Sequence, residues 1–395
     1  MRSRREEMDQ SLTSRGDSSD RSAREAQADV ALLASKVAAL PPRARAVEQK
    51  NSVPAKSTAR PTSMLRRLLW AACYVAAWCA TISLIIVAVL RVIHHDGEFF
   101  LIWINSFTRY VYLPAYFCVA WAVWQRRWVL TICGLALVGF HLTLMAPNFL
   151  RDRRFEINAE TVAGATSSPD RIRVFFANVL AQNTEFDALL EEIADADPDV
   201  IVLVEFSRPW HAAFVDSPVI APYIHGSGRL RSHINTVNVF SKLPLANEIQ
   251  NWVRGRAAHT VDIPLGSNSL RVVGLHAPRP IPGPKYDYAE YWDEMIPLLT
   301  AEQGPLVVVG DFNATEHSRV YKRLTESGLR SAHEVRGRGY ATTWPNGQNL
   351  CPPIRIDQAL VSPEIEVESI REGRGRGSDH KPLILDLRIR PAGEP

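Results

Sequence analysis

Apolar residues follow two patterns along the chain, long uninterrupted blocks in the first 150 residues and short runs afterwards. Residues 68–90 and 128–150 are each 23 residues long and contain no Asp, Glu, Lys or Arg. A helix of that length, rising about 1.5 Å per residue, crosses the roughly 30 Å hydrocarbon layer of a membrane. Residues 99–125 are also apolar but contain Arg109. About three transmembrane helices are predicted within residues 64–150, and the one over residues 99–125 has the least support from the sequence because Arg109 interrupts it.

Beyond residue 155 the apolar runs are short, rich in Val and Ile, and bounded by turn residues. They include RIRVFFANV, DVIVLVEFS, TVNVFSK, LRVVGLHA, PLVVVGDFN and PLILDLRI. This pattern is typical of strands buried in a packed sheet. Helical spacing separates several runs, as in TEFDALLEEIADADPD and SRVYKRLTES, and Glu316 and His317 are assigned to the start of the second of these helices. We therefore expect two stacked sheets with helices on the outside.

Charge and composition divide the chain at the same places. Residues 1–60 hold 12 Lys+Arg and 8 Asp+Glu with no aromatic residue, which predicts a disordered tail over residues 1–63. Residues 155–395 hold 24 Lys+Arg and 31 Asp+Glu and are long enough for one domain with a cleft. That acidic balance argues against a protein that grips long duplex DNA through its phosphates.

Basic residues beside the apolar blocks predict an orientation in the membrane. Arg60, Arg66, Arg67, Arg126 and Arg127 flank the first and last predicted spans and are assigned to the cytoplasmic side. With three spans, the protein is a multi-pass plasma (inner) membrane protein whose soluble domain lies on the outer, periplasmic face. Arg151, Arg153 and Arg154 lie on the opposite side from the one that this rule favours.

Polar residues recur where the apolar strands end. They are Asn178, Glu205, His276, Asp311, Asn313, Asp357, Asp379 and His380. Charged groups next to buried runs are costly unless they are paired or bound to a metal, so we expect these residues to converge on one site. Their carboxylate and amide oxygens, with no Cys among them, favour a hard cation, Mg²⁺ or Mn²⁺.

Each of these residues taken alone has a simpler explanation. Glu205 is equally well explained by a surface salt bridge or a helix cap, Asn178 by a strand-end cap, and GDFN by a turn. A lone histidine is more often structural than catalytic. His276 and His380 are nevertheless the candidates for proton chemistry, since imidazole titrates near neutral pH, and Asp357 is placed to orient His380.

The order of these motifs resembles the endonuclease/exonuclease/phosphatase superfamily, which includes pancreatic deoxyribonuclease, abasic-site endonucleases, neutral sphingomyelinases and inositol-polyphosphate 5-phosphatases. The resemblance covers roughly residues 170–390; GDFNA and SDHKPL are its specific pieces, and RIDQAL supports them. Membrane spans before such a domain are similar to the membrane-anchored bacterial YafD-like branch. The resemblance implies an α/β fold, a four-layer sandwich of two packed mixed sheets flanked by helices, and a divalent-metal phosphoesterase over residues 155–395.

The resemblance also implies a metal site. By position, Glu205 holds Mg²⁺, with Asn178 and Asp379 near the metal. Three positions depart from the family's pattern. Val204 stands where a Gln often precedes the metal-binding Glu, Gln358 follows the Asp of RID where Tyr or His is common, and Asn238 stands where relatives often have a small residue. None of these departures removes a metal ligand or a catalytic group.

The catalytic roles that the resemblance implies are carried over residue by residue. Asp311 and Asn313 position the attacking water and bind the phosphate, and His276 contacts the phosphate. His380, oriented by Asp357, acts as base or as transition-state stabiliser. Which of Asp311 and His380 is the base stays open, so the two are assigned a joint role.

The leading hypothesis is a membrane-anchored, metal-dependent phosphoesterase whose partners are a phosphate ester and the lipid bilayer, with no obligate protein partner evident. The ester is a lipid headgroup, a small phosphoester or a nucleic acid. Basic clusters at Arg229 and Arg231, at Arg254 and Arg256, and in REGRGRG are candidate phosphate guides, although a solvated loop is the better explanation of the last. The competing hypothesis is a non-catalytic binding or scaffold protein that retains the fold.

Overall fold

In this computed structural model the chain is described at residue 35 and over residues 62–150, 170–227, 237–266, 268–281 and 288–390. Most of the predicted tail and the basic residues 151–154, 229 and 231 lie outside the described residues. The chain divides into two compact units, Met1–Ala72 and Cys73–Pro395. The contacts and cavities described below all lie within the second unit.

The N-terminal part of the described chain is helical. Two helices are long and apolar enough to cross a membrane, over Met64–Ile93 and Trp128–Asn148, which makes this region a candidate transmembrane region by length and composition. The helices are α1 (Thr62–Ile93), α2 (Phe99–Ser106), α3 (Thr108–Val111), α4 (Leu113–Trp124) and α5 (Trp128–Met145), followed by a 3-10 turn over Ala146–Asn148.

Residues 99–125 differ from the single long helix predicted for them, because they form the three short helices α2, α3 and α4. A proline in the first turn of α4 has no N–H with which to continue the preceding helix. Asn105 and Arg109 are buried by polar contacts, and Arg109 pairs with Glu316 of the C-terminal region. A charged pair of this kind is buried in protein and does not face lipid.

The C-terminal region contains two six-stranded mixed sheets. The first has the strand order β11-β12-β1-β2-β4-β3 and the second the order β5-β6-β7-β8-β10-β9. The strands of the first sheet are β1 (Arg171–Asn178), β2 (Val200–Val204), β3 (His225–Ser227), β4 (Val237–Ser241), β11 (Ile365–Glu372) and β12 (Leu383–Ile389). Those of the second are β5 (Ala246–Val253), β6 (Arg256–Leu265), β7 (Asn268–His276), β8 (Leu306–Asp311), β9 (Arg330–Ser331) and β10 (Asp357–Val361).

Helices cover the outer face of each sheet. They are α6 (Phe186–Ala196) and α7 (Arg208–Val215) on the first sheet, and α8 (Tyr288–Thr300) and α9 (Arg319–Glu326) on the second, with a single turn of helix, α10 (Ala332–Val335), after β9. Successive residues of the central strands point alternately into the core between the two sheets and into the core between the sheet and its helices. Val307 and Val309 of β8 join the core between the sheets, while Leu306 and Val308 pack against α8 and α9.

This alternation explains why the central strands are apolar at every position rather than at every second one, because both of their faces are buried. The four layers of helix, sheet, sheet and helix confirm the expected α/β sandwich. Parallel pairing occurs between β1 and β2 and between β7 and β8. The carboxyl ends of these four strands carry most of the polar residues singled out from the sequence.

Gly310 is required by close approach of two strands. A Cβ atom at this position would lie 2.3 Å from the carbonyl oxygen of Leu275 and 2.9 Å from its Cγ. The residue before Asp311 therefore has to be glycine for β8 to lie against β7 in the observed register.

We predict that Gly310→Ala lowers the free energy of unfolding by about 3 kcal/mol, the upper part of the range for overpacking, because the neighbouring atom is backbone and cannot rotate away. Gly226→Ala is the matched control, since its Cβ would meet no atom closer than 3.8 Å. Denaturant unfolding of the full chain in detergent measures both. Equal stability of the two variants would contradict the close approach.

Candidate active site

Three neighbouring strands of the second sheet bring three of the predicted residues together. His276 is paired with Asp311 in the parallel register of β7 and β8, and Asp357 is paired with Asp311 in the antiparallel register of β8 and β10. The ring nitrogen Nε2 of His276 lies 3.6 Å from Oδ2 of Asp311. All three side chains are buried. Strand register alone thus places Asp311 between a histidine and a second carboxylate.

The first sheet contributes Asn178 and Glu205 from the ends of β1 and β2. The amide Nδ2 of Asn178 lies 3.2 Å from Oε1 of Glu205 and 3.1 Å from Oδ2 of Asp311, while its Oδ1 accepts from the backbone N–H of Leu180. Asn178 in this orientation is a donor that links two carboxylates across the two sheets. The expectation that it ligates a metal stays a prediction and requires the opposite amide orientation.

Glu205 has an unusual backbone conformation. Its φ is +56°, in the left-handed region, which costs a non-glycine residue of order 1 kcal/mol and recurs at functional sites. The turn sends its side chain to the site, where Oε1 lies 3.8 Å from Nε2 of His276 and Oε2 accepts from the N–H of Ala181. Glu205 therefore reaches the same place as Asp311 from the other sheet.

His380 is held by two carboxylates. Its Nδ1 lies 2.8 Å from Oδ2 of Asp357, and its Nε2 lies 3.7 Å from Oδ2 of Asp311. Burial opposes the charged form of the ring, but the charges of Asp357 and Asp311 and the hydrogen bond to Asp357 outweigh it and raise the pKa of His380 to about 10. Burial also raises the pKa of Asp311, against the opposing effect of His380. The site thus favours a protonated His380 between two carboxylates.

The backbone around Asp357 and Asn313 fixes their side chains. Thr343 Oγ1 accepts hydrogen bonds from the N–H groups of Ile356 and Asp357 at 3.1 Å. Asn313 adopts a φ of +48°; its N–H donates to Oδ1 of Asp311, and its side-chain amide donates to the carbonyl of Ala277. Its remaining amide oxygen borders the cavity described below.

Asp379 lies beside His380 and receives a hydrogen bond from the indole Nε1 of Trp344 at 3.2 Å. Its other oxygen, Oδ1, is buried and has no hydrogen-bond partner in the part of the chain that the structure describes. An unsatisfied buried carboxylate oxygen is costly unless a cation or water completes it. This observation fits a metal ligand at Asp379.

A second cluster with ligand-like geometry consists of Asp311, Asp357 and His380, whose donor atoms lie within 4.8 Å of one another. In this cluster Nδ1 of His380 is hydrogen-bonded to Asp357, so this nitrogen already has a partner. The oxygen-only set of Glu205 and Asp379 suits a hard cation better, because Mg²⁺ prefers carboxylates and water to imidazole.

A cavity of about 440 Å³ joins these residues. Six of the eight predicted residues line it, namely Glu205, His276, Asp311, Asn313, Asp379 and His380. The other two, Asn178 and Asp357, lie behind it and hydrogen-bond to residues that line it. The structure therefore brings all eight predicted positions to one place, and their individual roles stay predictions.

Sequence reasoning named Arg256 as a candidate phosphate guide and missed several other residues of the cavity wall. Arg256 at the start of β6 and Arg279 in the loop after β7 line the cavity, and Trp103 and Ser106 line it from α2 in the N-terminal region. Burial lowers the pKa of Arg256, although Asp311 and Glu205 favour its charged form. Nothing in the pattern of α2 indicated contact with residues so distant in the sequence.

The two basic clusters that the structure describes behave differently. Arg254 points away from its neighbour Arg256 and pairs with Glu294 at the surface. In REGRGRG, Arg374 pairs with Asp195, and the N–H groups of Arg374 and Gly375 bond to the carboxylate of Glu192. The Gly/Arg loop is therefore tied to α6, and it contributes no residue to the cavity lining.

Glu316 and His317 lie before α9, which begins at Arg319 with Ser318 as its N-cap, rather than in the first turn of that helix. The carboxylate of Glu316 is 2% exposed and lies 2.8 Å from Nη2 of Arg109 and 3.8 Å from Nη2 of Arg355. The guanidinium of Arg91 donates to the backbone carbonyl of His317 at 3.0 Å. Burial alone would raise the pKa of Glu316, but Arg355, His317 and Arg109 hold it well below its usual range. We call these contacts the Glu316 cluster.

The Glu316 cluster joins α1 and α3 to the segment that directly follows Asp311 and Asn313. The phenol of Tyr110 adds a hydrogen bond to the carbonyl of Pro353 at 2.7 Å. The candidate transmembrane region is thereby attached to the loop that follows β8.

Carboxylates, amides and histidines from the two sheets surround one open cavity. Residues 175–380 match the sequence profile of the Endonuclease/Exonuclease/phosphatase family, which is more than half of the chain. The chain belongs to this family, and the expected enzyme class, a phosphoester hydrolase, is confirmed at that level. The YafD-like branch stays a prediction. No curated protein matches the chain.

Solved structures resemble the chain at low identity. An endonuclease/exonuclease/phosphatase from Beutenbergia cavernae DSM 12333 is 17% identical, covers 56% of this chain and 72% of its own, and gives a TM-score of 0.44. The 3′ phosphatase NExo from Neisseria, bound to product DNA hairpin, is 18% identical over 54% and 98% of the two chains, with a TM-score of 0.45. The human Nocturnin catalytic domain is 20% identical over 56% and 96%, with a TM-score of 0.43. Likenesses at this level say nothing about the substrate of this chain.

We predict that Arg109→Met lowers the free energy of unfolding by about 3 kcal/mol, because removing one partner of a buried ion pair leaves the other charge uncompensated. Arg254→Met is the matched control, since the Arg254–Glu294 pair has side chains 40% and 50% exposed and is worth at most about 1 kcal/mol. Urea unfolding of the full chain in detergent, followed by tryptophan fluorescence, measures both changes. A cost for Arg109→Met no larger than that of the control would show that the Glu316 cluster does not stabilise the fold.

Proposed function

We propose that the chain is a divalent-metal-dependent phosphoesterase that hydrolyses a phosphate ester by direct attack of water. The observation that supports this best is the arrangement around Asp311, whose carboxylate has His276, His380 and Asn178 within 3.1 to 3.7 Å at the base of an open cavity. A carboxylate so surrounded by donors is suited to orient a water molecule in line with phosphorus.

Glu205 and Asp379 are the proposed metal ligands, supported by the unpartnered Oδ1 of Asp379 and by the strained backbone that directs Glu205 into the cavity. When bound, Mg²⁺ or Mn²⁺ supplies Lewis-acid polarisation of a phosphoryl oxygen and neutralises negative charge. Asn178 supports this pair, either by donating to Glu205 as observed or, with its amide reversed, as a third oxygen ligand.

The remaining residues handle the proton and the phosphate. The water oxygen forms a bond to phosphorus, the phosphorus–oxygen bond to the leaving group breaks, and the alcohol leaves with a proton. Asp311 and His380 share the water proton as a joint unit, and Asp357 keeps the Nε2 atom of His380 directed at Asp311 through its bond to Nδ1. His276 and Asn313 face the phosphate oxygens as hydrogen-bond donors and positioning groups.

We also propose that the enzyme is anchored in the membrane through α1 and α5, with α3 and α4 making a third pass. Arg126 and Arg127 occupy the turn between α4 and α5, and Arg127 lies over the ring of Tyr74 at 4.9 Å. Arg91 and Arg109 lie at the other end and are held by the Glu316 cluster. The positive-inside rule then assigns the Arg126–Arg127 turn to the cytoplasm and the catalytic domain to the periplasmic face.

We predict that the full chain hydrolyses bis-p-nitrophenyl phosphate with Mg²⁺ or Mn²⁺ and not with EDTA. Asp311→Ala and His380→Ala should each lower kcat by about 10² to 10⁴, the range for loss of a group that moves a proton in the transition state. Release of p-nitrophenol measures the rate.

Asp195→Asn is the control variant for this assay, because the carboxylate is 69% exposed, pairs with Arg374, and does not line the cavity. Metal-dependent turnover that is lost in Asp311→Ala and His380→Ala and kept in Asp195→Asn supports the enzyme. Turnover no higher than that of the Asp311→Ala variant would favour the non-catalytic scaffold for this class of ester.

The proposed orientation predicts that a reporter fused after the C-terminal residue works only when it is active outside the cytoplasm. Paired fusions to alkaline phosphatase, which requires export, and to green fluorescent protein, which fluoresces in the cytoplasm, test this. Fluorescence of the second fusion with an inactive first fusion would reverse the assignment.

A further inference from the structure

The wall of the active-site cavity is of two chemical kinds. The carboxylates and histidines around Asp311 form what we call its base, and Trp103, Pro280, Ile281, Leu350 and Ile354 form an apolar part that we call its outer wall. The polar residues Ser106 and Gln182 also line the cavity. A small water-soluble phosphate ester would fill the base and leave this outer wall in contact with water. An apolar wall next to a phosphate-binding base matches a ligand with an apolar part beside its phosphate.

Part of the apolar wall comes from α2, which follows the first candidate membrane span. The indole N–H of Trp103 donates to the carbonyl of Pro280 at 3.0 Å, which holds α2 against the loop after β7. Leu101 and Asn105, on the face of α2 opposite Trp103, are buried. Phe99, Phe100 and Trp103 are 38%, 52% and 38% exposed. Exposed aromatic residues beside a membrane span are typical of the level of the lipid headgroups.

The position of α2 relative to the catalytic strand is fixed by contacts rather than by a flexible linker. Arg91 at the end of α1 donates to Asn105 at the end of α2 and also to the carbonyl of His317. Arg109 in α3 pairs with Glu316. The outer wall of the cavity, the exposed aromatic residues and the end of the candidate span are thus held together near one edge of the site.

Leu350 lines the same cavity from the loop between α10 and β10 and is 69% exposed. Its side chain adds apolar surface to the cavity, which a hydrocarbon chain in contact with Trp103 could also meet.

We infer that the substrate is an amphiphilic phosphoester taken from the lipid bilayer, with its phosphate at Asp311 and His380 and the start of its hydrocarbon part between Trp103 and Leu350. This inference rests on the proposed phosphoesterase activity and adds the substrate class. Arg256 and Arg279, which line the same cavity, offer positive charge to the phosphate group. Hydrolysis releases an alcohol and a phosphate product, and the product that carries the hydrocarbon chain stays in the bilayer.

The test uses alkyl p-nitrophenyl phosphodiesters with methyl, butyl and octyl chains, because the leaving group and the reacting phosphate are the same in all three. The full chain is reconstituted in nanodiscs, and each ester is used below its micelle concentration. We expect kcat/KM to rise with chain length. In Trp103→Ala the octyl-to-methyl ratio should fall about tenfold, which corresponds to about 1.4 kcal/mol of lost apolar contact in the transition state.

Phe100→Ala is the matched control, because Phe100 belongs to the same helix, is more exposed than Trp103, and is absent from the cavity lining. Its octyl-to-methyl ratio should equal that of the wild type. Leu350→Ser provides a second variant on a separate loop, so that a folding defect of Trp103→Ala does not decide the result. A ratio that falls in both cavity variants and not in Phe100→Ala supports the inference.

Phosphatidylglycerol and phosphatidic acid vesicles form a second arm, with products measured by mass spectrometry, and a single-stranded oligonucleotide forms a third. Release of lipid products from vesicles supports a bilayer source. Turnover that is indifferent to chain length, or faster on the oligonucleotide than on the octyl ester, overturns the inference and leaves the proposed activity intact. Absence of turnover with every ester overturns both.

Discussion

The position of β8 between β7 and β10 is the constraint on which the site depends. Asp311 ends this strand, and backbone hydrogen bonds hold it on both sides, from the N–H of Ala277 to its carbonyl and from the N–H of Phe312 to the carbonyl of Ile356. Both faces of β8 are buried in apolar cores, so the strand cannot slip without exposing valines. The position of the Asp311 carboxylate is therefore fixed relative to His276, His380 and Asn178. Its burial is tolerable because histidines and amides surround it.

The Glu316 cluster extends the influence of the same strand to the N-terminal helices. The chain runs from Asp311 at the active site to Glu316 in only five residues, and Glu316 is where Arg109 and Arg355 meet. A helix that carries an arginine to a buried carboxylate has a fixed depth and rotation, because the charge cannot leave its partner at low cost. In this way the loop that follows β8 and the helix α2, which contributes Trp103, are parts of one packed unit.

The sequence predicted the site better than it predicted the N-terminal region, and the reason is physical. Polar residues at the ends of apolar strands are unusual enough that Asp311, Glu205 and His276 could be grouped before any contact was known. Arg109 was noted in the sequence as the interruption of residues 99–125, but its ion pair with Glu316 was not predicted. That ion pair attaches the N-terminal helices to Glu316. No local pattern announces an ion pair between residues that are 207 positions apart.

By itself the sequence determined the two-faced apolar strands, the candidate spans and the set of oxygen and imidazole donors, because burial, span length and ligand type are properties of short segments. The tertiary structure alone decided which of those donors meet. It placed Asp311 between His276 and Asp357 by strand register, turned the amide of Asn178 toward Glu205 and Asp311, and set the indole of Trp103 in the wall of the cavity. These outcomes follow from strand register and from packing between distant segments. The free energy of each such contact depends on two groups that are brought together only in the folded chain.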